Sequence, residues 1–562
     1  MNMITKKLDE KLSVTGQITV DDLTEIAATG YQSVICNRPD YEEGATQPAS
    51  AELEKVAQSL GIKFVYLPVA RGSISLEKSE SFNQLLAELP GPVLAFCNSG
   101  NRSQKLYELS RQAQVSESDD ESVTAACSWT DEAPETIHIS HVSENQSASV
   151  VAACNWGNAF DIVVIGGGAA GIGVTASLLH RRSTLRIAII EPSEKHYYQP
   201  AWTLVGGGAY DINQTVRNMA SVIPTKAEWI QAAAAEIDPD SNLVKLTDGR
   251  AVGYRQLIVC PGIRLAWEKI EGLQETLGKN GVTSNYQFEL APYTWSLTKN
   301  LKNGKALFTQ PPMPIKCAGA PQKAMYLSCD YWLHQHVLDT IDVEFNTAGA
   351  VLFGVADFVP SLMTYVKRYH AHLVFNSTLA KVDGVRKIAF FDIKDSEGNV
   401  TRVEKPFDML HVTPPQAAPD FIRKSQLADA AGFCEVNPRT LQHVRYANIF
   451  SLGDACSSPN AKTAAAARKQ AVIVAENILA AKEDRLLSST YDGYGACPLT
   501  VENGKVILAE FGFGGKLMPT FPLDPVVPRR FAWLLKTKLF PWLYWNGMLK
   551  GREWLTRSTG SN

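Results

Sequence analysis

Two cysteines of this chain stand in contexts that could support thiol redox chemistry. Cys317 lies in a Pro-Ile-Lys-Cys-Ala-Gly-Ala-Pro run and Cys456 in a Gly-Asp-Ala-Cys run. The chain has ten cysteines, and its first residues, Met1 to Lys11, lack the apolar core of a secretory signal. We therefore expect a reducing cytoplasm, in which a structural disulfide framework is disfavoured. Catalysis is then the better explanation for a pair of cysteines.

A glycine fingerprint supplies the context for such a pair. The apolar run 161–165 leads into Gly166, Gly168 and Gly171, spaced as G-x-G-x-x-G, and then into a helical pattern. Glycines at this spacing let a pyrophosphate approach the backbone and the helix N-terminus. Glu191 closes the next apolar run, where a carboxylate grips a ribose hydroxyl. The pattern predicts a dinucleotide site.

A second element near the far end of the chain predicts FAD in particular. An apolar run leads into Gly453 and Asp454, and an alanine-rich helix is expected over 461–481. In two-part FAD enzymes such an Asp holds the ribityl or phosphate side of the flavin, facing a second helix N-terminus. Lys462 and Thr463, at the start of this helix, are further candidate cofactor residues. FAD beside Cys317 and Cys456 indicates a flavin enzyme with a redox-active cysteine pair.

From about residue 160 to 554 the chain resembles the sulfide:quinone oxidoreductases, in the branch that includes the mitochondrial enzyme. The similar runs are 191–206, 316–323, 411–415, 462–466 and 506–511.

The resemblance implies a mechanism and its residues. Cys317 and Cys456 would be bridged at rest, hydrosulfide would open the bridge to leave a persulfide, and FAD would pass the electrons to a membrane quinone. Exchange of this kind is thiolate chemistry, which Lys316, Lys323 or Lys462 would favour.

The other cysteines are expected to be structural or incidental. Cys260, Cys329, Cys434 and Cys497 are assigned to the core, and so is Cys36, in the middle of a strand. Cys127 and Cys154 lie in a near-repeat without the spacing of a zinc site, so no metal is predicted.

Residues 1–111 alternate strand and helix patterns and predict a small parallel α/β domain. Its last strand ends at Cys97, followed five residues later by Arg102. A thiol under such a loop of backbone amides binds anions. The loop is one residue shorter than a cysteine phosphatase requires and is similar to that of single-domain rhodaneses, whereas the rest of the domain resembles the phosphatase-like domains fused to β-lactamase-like sulfur enzymes. Sulfur transfer to a small thiol or sulfite is favoured, with Cys97 and Arg102 as its catalytic residues; a phosphatase and an inert binding module stay open.

The predicted fold is an α/β flavoprotein with two dinucleotide-binding-type domains, preceded by a rhodanese-like or phosphatase-like domain and followed by an amphipathic tail. The expected boundaries are a module over 1–111, an acidic flexible linker over 112–158, an FAD domain over 159–290 and 406–482, an inserted domain over 291–405 and a quinone and membrane region over 483–562. A homo-oligomer is possible in this organisation.

The composition of the C-terminal tail predicts the route by which electrons leave the flavin. Residues 529–562 hold seven Lys or Arg against one acid, interleaved with aromatic residues, and are interrupted too early for a membrane span. In-plane attachment to the cytoplasmic side of a membrane is expected, which would bring a quinone to the flavin. The net charge of −4 and the absence of nucleic-acid motifs argue against nucleic acid.

Two alternatives stay open. One is a type II NADH:quinone oxidoreductase, although 291–405 lacks the second glycine fingerprint that a nicotinamide enzyme requires. The other is a flavin-based sulfide sensor with an N-terminal phosphatase-like module.

Overall fold

The computed structural model forms two compact units, Met1–Ala153 and Cys154–Asn562. It describes residues 5–40, 47–69, 76–97, 100–117, 159–483, 485–554 and 556. The predicted linker beyond residue 117, with Cys127 and Cys154, lies outside the described residues.

The described residues of the N-terminal unit form a five-stranded sheet with four helices. Its strands are β1 (Thr5–Lys7), β2 (Leu12–Thr15), β3 (Ser33–Cys36), β4 (Lys63–Tyr66) and β5 (Val93–Phe96). Its helices are α1 (Asp22–Ala28), α2 (Ser50–Ser59), α3 (Leu76–Glu88) and α4 (Asn101–Glu117). The order is β1-β2-β5-β3-β4, parallel except for β1. Every residue of the central strand β5 is buried because helices cover both faces of the sheet.

The second unit contains the remaining elements. Its strands are β6 (Phe160–Ile165), β7 (Ile187–Ile190), β8 (Lys195–Tyr197), β9 (Val216–Asn218), β10 (Ala227–Ile230), β11 (Ala234–Asp238), β12 (Leu243–Leu246), β13 (Ala251–Val259), β14 (Arg264–Leu265), β15 (Val282–Thr283), β16 (Gly304–Gln310), β17 (Ile341–Thr347), β18 (His372–Val374), β19 (Ser377–Asp383), β20 (Ile388–Lys394), β21 (Val400–Pro406), β22 (Met409–His411), β23 (Gln416–Ala417), β24 (Ile449–Ser451), β25 (Gly495–Glu502) and β26 (Lys505–Phe511). Its helices are α5 (Ala169–Arg181), α6 (Trp202–Gly206), α7 (Ala291–Asn300), α8 (Ala320–His334), α9 (Val359–Arg368), α10 (Asp420–Arg423), α11 (Ala464–Lys482), α12 (Arg530–Leu534) and α13 (Phe540–Asn546).

The first sheet of this unit positions the glycine fingerprint. Strands β10, β7, β6, β13 and β24 are parallel, and β12 and β11 extend the sheet in antiparallel pairing. The side chains of β6 alternate between two cores: Ile162 and Val164 pack with α5 and α11, and Val163 and Ile165 pack on the opposite face. Burial of such a side chain contributes about 1.5–3 kcal/mol, so this strand is firmly fixed beneath the turn that follows it.

The inserted region has its own parallel sheet, in the order β15-β22-β16-β17-β18, with the antiparallel meander β19-β20-β21 beside it. The core of this sheet is continuous with the hairpin β25–β26, whose residues Cys497, Leu499, Ile507 and Ala509 are buried there. The hairpin therefore joins the inserted sheet to the cofactor-binding region.

None of the helices formed by the described residues is both long enough and apolar enough to cross a membrane.

Candidate active site

The turn between β6 and α5 requires glycine at two points. Gly166 has a φ of +106°, and a Cβ there would lie 2.5 Å from the carbonyl oxygen of Cys260. A Cβ on Gly171 would lie 1.8 Å from the carbonyl oxygen of Gly166. Gly168 is the last residue before the helix. The strand, turn and helix that the fingerprint predicts are therefore present, with the backbone open to a phosphate.

Glu191 lies beside this turn. Its carboxylate accepts hydrogen bonds from the backbone N–H groups of Gly167 at 2.7 Å and Ser193 at 2.8 Å. The side chain lines a cavity of about 480 Å³ that extends from the glycine turn to Cys317 and to the tail residue Tyr544. This is the place at which the sequence predicts a ribose.

The second cofactor element lines the same cavity with Gly453, Asp454, Lys462 and Thr463. The ammonium of Lys462 donates to the carbonyl oxygens of Asp454 and Cys456, each at 2.9 Å, and so holds the Gly-Asp turn in place. The Thr463 hydroxyl accepts from the N–H of Ala466 at 3.2 Å and caps α11. Burial raises the pKa of Asp454, although the charges of Lys462 and Lys316 oppose the shift.

Unpaired polar atoms test whether a flavin fits this cavity. Both amide atoms of Asn285 and the hydroxyl of Thr203 are buried there without a partner among the described residues. The edge of a flavin ring presents carbonyl oxygens and an N–H, so an amide that offers both a donor and an acceptor matches it. The backbone N–H of Asn285 donates to Nε2 of His411 at 3.0 Å, which fixes its position. The residues present therefore fit a flavin.

Cys317 lies between β16 and α8, where a nicotinamide-binding domain would have its glycine turn. Its backbone has a φ of +52°, in the left-handed region that is strained for a residue with a Cβ. The Cys317 N–H donates to the carbonyl oxygen of Lys462 at 2.8 Å, and its carbonyl oxygen accepts from the N–H of Ala320 at 2.7 Å. The thiol is half-buried and lines the cofactor cavity.

The sulfur of Cys497, on β25, lies beside that of Cys317. The two Sγ atoms are 3.7 Å apart, and Nζ of Lys323 lies 3.1 Å from the first and 3.8 Å from the second. Gly319 permits this approach, because a Cβ there would lie 2.6 Å from the Cys497 sulfur.

This arrangement shifts the pKa values of the two thiols in opposite directions. The hydrogen bond from Cys497 and the charge of Lys323 hold the pKa of the Cys317 thiol well below its ordinary value, against the effect of burial. The pKa of Cys497 is raised well above its ordinary value by the same hydrogen bond and by burial. Burial lowers the pKa of Lys323, but the negative charges of the two sulfurs outweigh it, so its pKa is raised. The direction of these shifts favours the anionic form at Cys317 over that at Cys497.

A second lysine reaches the pair from the tail. Lys536 is buried, and its ammonium donates to the carbonyl oxygen of Pro498 at 2.8 Å and to the hydroxyl of Thr500 at 2.6 Å. Burial and the repulsion of Lys323 lower its pKa well below the ordinary value, although the sulfur charges oppose this. The sequence predicts in-plane membrane attachment of the tail, and within this tail Lys536 is buried against the protein.

Among the described residues the sulfur that contacts Cys317 belongs to Cys497, and the predicted pairing of Cys317 with Cys456 stays a prediction. Cys456 is completely buried in the core around α5 and α11, and its thiol donates to the carbonyl oxygen of Gly453 at 3.2 Å. Its backbone pairs with that of Cys434. The Cys456 side chain enters this core directly after the tight Gly-Asp turn. Cys497 is buried in the core, as we predicted, and its contact with the Cys317 sulfur is a feature that the sequence did not predict.

The tail packs against the glycine turn. The imidazole of His196 lies between the carbonyl oxygen of Gly167 at 3.0 Å and the hydroxyl of Tyr544 at 2.7 Å. Burial lowers the pKa of His196 to about 4, so the ring is neutral. Glu553 pairs with Arg181 of α5. The opposite side of the tail leaves an exposed apolar row, defined as Phe531, Leu534, Leu539, Trp542 and Trp554.

In the N-terminal unit the structure places Cys97 directly after β5. The thiol is buried, and the Cys97 N–H donates to the carbonyl oxygen of Thr15 at 3.4 Å. Arg102 lies in the first turn of α4 and donates to the carbonyl oxygen of Val69 at 2.5 Å. Two loop residues between them, 98 and 99, lie outside the described residues.

Each of the two units matches a family of known proteins. The family described as pyridine nucleotide-disulphide oxidoreductase matches residues 160–296, and the family described as beta-lactamase hydrolase-like protein, phosphatase-like domain, matches residues 5–114. The fold and the glycine turn thus define a flavoprotein of the disulfide oxidoreductase class. A phosphatase-like domain precedes it in the sequence.

A relative identifies the family within that class. The mitochondrial sulfide:quinone oxidoreductase of Mus musculus is 40% identical over 394 residues, which cover 70% of this chain and 87% of the relative. The chain therefore belongs to the sulfide:quinone oxidoreductase family.

Two further comparisons concern the fold and the N-terminal unit. The structure of the sulfide:quinone oxidoreductase from Aquifex aeolicus has the same fold, with a TM-score of 0.58 at 19% identity over 70% of this chain and 92% of that one. A beta-lactamase hydrolase-like protein of Agrobacterium fabrum is 34% identical over 103 residues, which are 18% of this chain and 24% of that protein. The predicted fold class is confirmed.

Proposed function

We propose that this protein oxidises sulfide to sulfane sulfur with FAD as its cofactor and passes the electrons to a membrane quinone. The single observation that carries the proposal is the pair of sulfurs of Cys317 and Cys497, 3.7 Å apart beside Lys323, at the edge of a cavity built by a dinucleotide fingerprint. Membership of the sulfide:quinone oxidoreductase family supports the substrate and the acceptor.

The sulfur steps follow from the opposite directions in which the pKa values of the two thiols are shifted. In the oxidised protein the pair forms a disulfide; since an S–S bond is about 2.05 Å long, the sulfurs have to approach by about 1.7 Å from their separation as thiols. Hydrosulfide attacks the sulfur of Cys497, a new S–S bond forms there, and Cys317 leaves as a thiolate. Lys323 stabilises this leaving group because its ammonium lies 3.1 Å from the Cys317 sulfur.

A nucleophile such as a small thiol or sulfite then takes the outer sulfur and leaves Cys497 as a thiolate. Restoring the disulfide releases two electrons, and accepting them is the chemistry that a bound flavin supplies. Cys317 is the member of the pair that lines the cofactor cavity, so its thiolate faces the cofactor.

The tail supports the proposed acceptor. Leu539, Phe540 and Leu543 line the cavity, and the exposed apolar row lies on the same segment. Apolar and aromatic side chains of this kind anchor a protein at the surface of a bilayer, where long-tailed quinones are dissolved. We infer peripheral attachment through this row, on the cytoplasmic side.

The NADH:quinone oxidoreductase alternative has less support. Strand β16 ends at Gln310 and α8 begins at Ala320, and the residues that connect them, 311–319, carry Cys317 and a single glycine, Gly319, instead of a glycine-rich phosphate loop. Reduction of the flavin by NADH faster than by sulfide would favour this alternative. A sulfide sensor would be reduced once and would not turn over with quinone.

For the N-terminal unit we propose sulfur transfer through Cys97, with Arg102 beside the loop. The position of Cys97 at the carboxyl end of the central parallel strand, before the N-terminus of α4, supports anion binding at the thiol. A phosphatase is the second candidate because the matching family is described as phosphatase-like.

The test of the main proposal is anaerobic titration of the purified protein with sulfide, followed by assay with decylubiquinone. We expect a yellow protein whose flavin absorbance is bleached by sulfide and recovers with the quinone, over many turnovers when cyanide or sulfite is added to accept sulfur. An absorbance spectrum that millimolar sulfide leaves unchanged would remove the proposal.

A further inference from the structure

The hairpin β25–β26 divides the cavity region into two sides. Cys497 pairs with Ala509, and the neighbouring Ala496 pairs with Glu510. Because successive side chains of a strand point to opposite faces, Cys497 faces the inserted core and Glu510 faces away from it. Glu510 lines the cavity together with the aromatic residues Phe521 and Phe540. The carboxyl group of Glu510 therefore lies one residue along the hairpin from the position of Cys497, on the opposite face.

Glu510 is buried, and one of its hydrogen-bond partners is an exposed residue. One carboxylate oxygen accepts from the hydroxyls of Tyr494 and Thr520, both at 2.5 Å, and the other accepts from the Thr520 N–H at 3.0 Å. Thr520 is exposed, and its hydroxyl can rotate between donor and acceptor roles. A proton can therefore pass from water to Glu510 through a single hydroxyl.

Two basic residues of α11 lie near Tyr494 and Glu510. Arg468 of α11 lines the same cavity and interacts electrostatically with Tyr494 and Glu510. Lys469 lies 5.3 Å from the centre of the Tyr494 ring and pairs with Asp492 at 2.5 Å. Burial and the charge of Glu510 raise the pKa of Tyr494, so its hydroxyl keeps its proton near neutral pH.

The proposed function leaves one proton to be supplied. Oxidation of hydrosulfide to sulfane sulfur releases two electrons and one proton, whereas reduction of a quinone to a quinol takes up two electrons and two protons. Each turnover therefore consumes one proton from solvent, and it has to reach the quinone oxygen inside an apolar cavity.

Resting on the proposed function, we propose that Glu510 is the residue that delivers this proton. It takes a proton from solvent through the hydroxyl of Thr520 and gives it to the quinone oxygen as the quinone is reduced, while Tyr494 holds the carboxyl in place. General acids of this kind accelerate proton transfer by about 10²–10⁴-fold.

The test separates the two halves of the reaction in full-length protein with bound flavin. The flavin is reduced with sulfide or, independently of sulfide chemistry, with dithionite, and its reoxidation is followed with decylubiquinone and with ferricyanide, which needs no proton. For Glu510→Gln we expect reoxidation by decylubiquinone to slow at least tenfold, with ferricyanide and sulfide rates within twofold of wild type. Glu510→Asp should recover part of the rate. The matched control is Glu502→Gln, at the end of β25 and paired with Arg368, which should leave both rates unchanged.

A readout that does not depend on turnover is the binding of decylubiquinone, measured by quenching of tryptophan fluorescence. Its Kd should stay within twofold in Glu510→Gln. Equal slowing with both acceptors, an unchanged quinone rate, or a loss that saturating quinone restores would each overturn the inference. If Glu510→Gln does not fold, Glu510→Asp and Tyr494→Phe give the same contrast between acceptors. Failure of the proposed function would be visible separately, as a wild-type flavin that sulfide does not reduce.

Discussion

At the scale of residues, the site depends on one thiolate that is stabilised at a strained position. Cys317 has a positive φ just before the N-terminus of α8, with Lys323 one turn into that helix. A helix N-terminus and a lysine both favour the anionic form of a nearby thiol. The same features that make Cys317 a good leaving group make it reactive towards alkylating agents when the pair is reduced.

Replacing Lys323 tests this electrostatic account. Lys323→Met removes the positive charge 3.1 Å from the sulfur, so the pKa of Cys317 should rise towards that of an ordinary thiol. The measurement is the pH dependence of iodoacetamide modification of the reduced protein, with mass spectrometry to identify the residue. We expect the wild-type profile to extend to distinctly lower pH than that of the variant.

The control for this experiment is Lys299→Met, because Lys299 is exposed and its ammonium lies over the ring of Trp295. Superimposable profiles for wild type and Lys323→Met would show that Lys323 does not set the thiolate.

At the scale of elements, the tail has two roles. Its inner side supplies Lys536 to the hairpin that carries Cys497 and supplies Tyr544 to His196 beside the glycine turn. Its outer side carries the exposed apolar row. Deleting residues 529–562 would therefore damage the sulfur site and the cofactor site together, so point substitutions are required to isolate membrane attachment.

We expect the triple substitution of Phe531, Leu534 and Trp542 to Ser to weaken binding to phospholipid vesicles at least tenfold. Each of these half-exposed side chains would contribute about 1 kcal/mol or more when it enters a bilayer. Vesicle co-sedimentation measures the loss, and the flavin absorbance should be unchanged. Substituting the exposed Val385 and Leu486, which lie outside the row, is the matched control. Equal binding by the wild-type protein and the triple variant would mean that the exposed apolar row does not attach the protein to membranes.

Lys536→Met tests the inner side. Because Lys536 interacts electrostatically with both sulfurs, its loss should slow reduction of the flavin by sulfide, by about tenfold for an interaction that corresponds to one pKa unit. Lys538, two residues further along the tail, provides a control as Lys538→Met. Stopped-flow absorbance gives both rates, and an effect on Lys538→Met as large as that on Lys536→Met would contradict a specific role.

Sequence patterns predicted the elements whose structure depends on residues close together in the chain. The strand, glycine turn and helix around Gly166 follow from residues that are neighbours in the chain, and the N-terminal α/β pattern ends at Cys97 as predicted. The partner of Cys317 could not be found in this way, because Cys497 is brought to it by packing of the hairpin on α8. The only local signal is Gly319, where a side chain would meet Cys497 and Leu499. The buried role of Lys536 likewise depends on tertiary packing, which overrides the basic amphipathic pattern of the tail.

At the scale of the whole molecule, the chain joins a flavin unit that would produce sulfane sulfur to a unit with a thiol at a strand end. Covalent connection raises the effective concentration of one site at the other. We propose that Cys97 accepts sulfur from the flavin unit and passes it to a small thiol or sulfite.

Cys97→Ser in the full chain should leave bleaching of the flavin by sulfide unchanged and slow turnover with the physiological acceptor several-fold. Cys36→Ser, on the neighbouring strand, is the control because burial raises the pKa of that thiol to about 12 and keeps it unreactive. A fragment ending at Glu117, where α4 ends, should transfer sulfur from thiosulfate or a persulfide. Hydrolysis of p-nitrophenyl phosphate without sulfur transfer would replace this proposal with the phosphatase.

The most direct test of the central claim compares three serine variants in one assay, sulfide-dependent reduction of decylubiquinone. Because the sulfurs of Cys317 and Cys497 form the redox pair in this account, Cys317→Ser and Cys497→Ser should each lower the rate at least a hundredfold while the flavin stays bound. Cys456→Ser, in a thiol buried elsewhere in the core, should retain most of the activity. Loss of activity in Cys456→Ser with retention in Cys497→Ser would contradict the account.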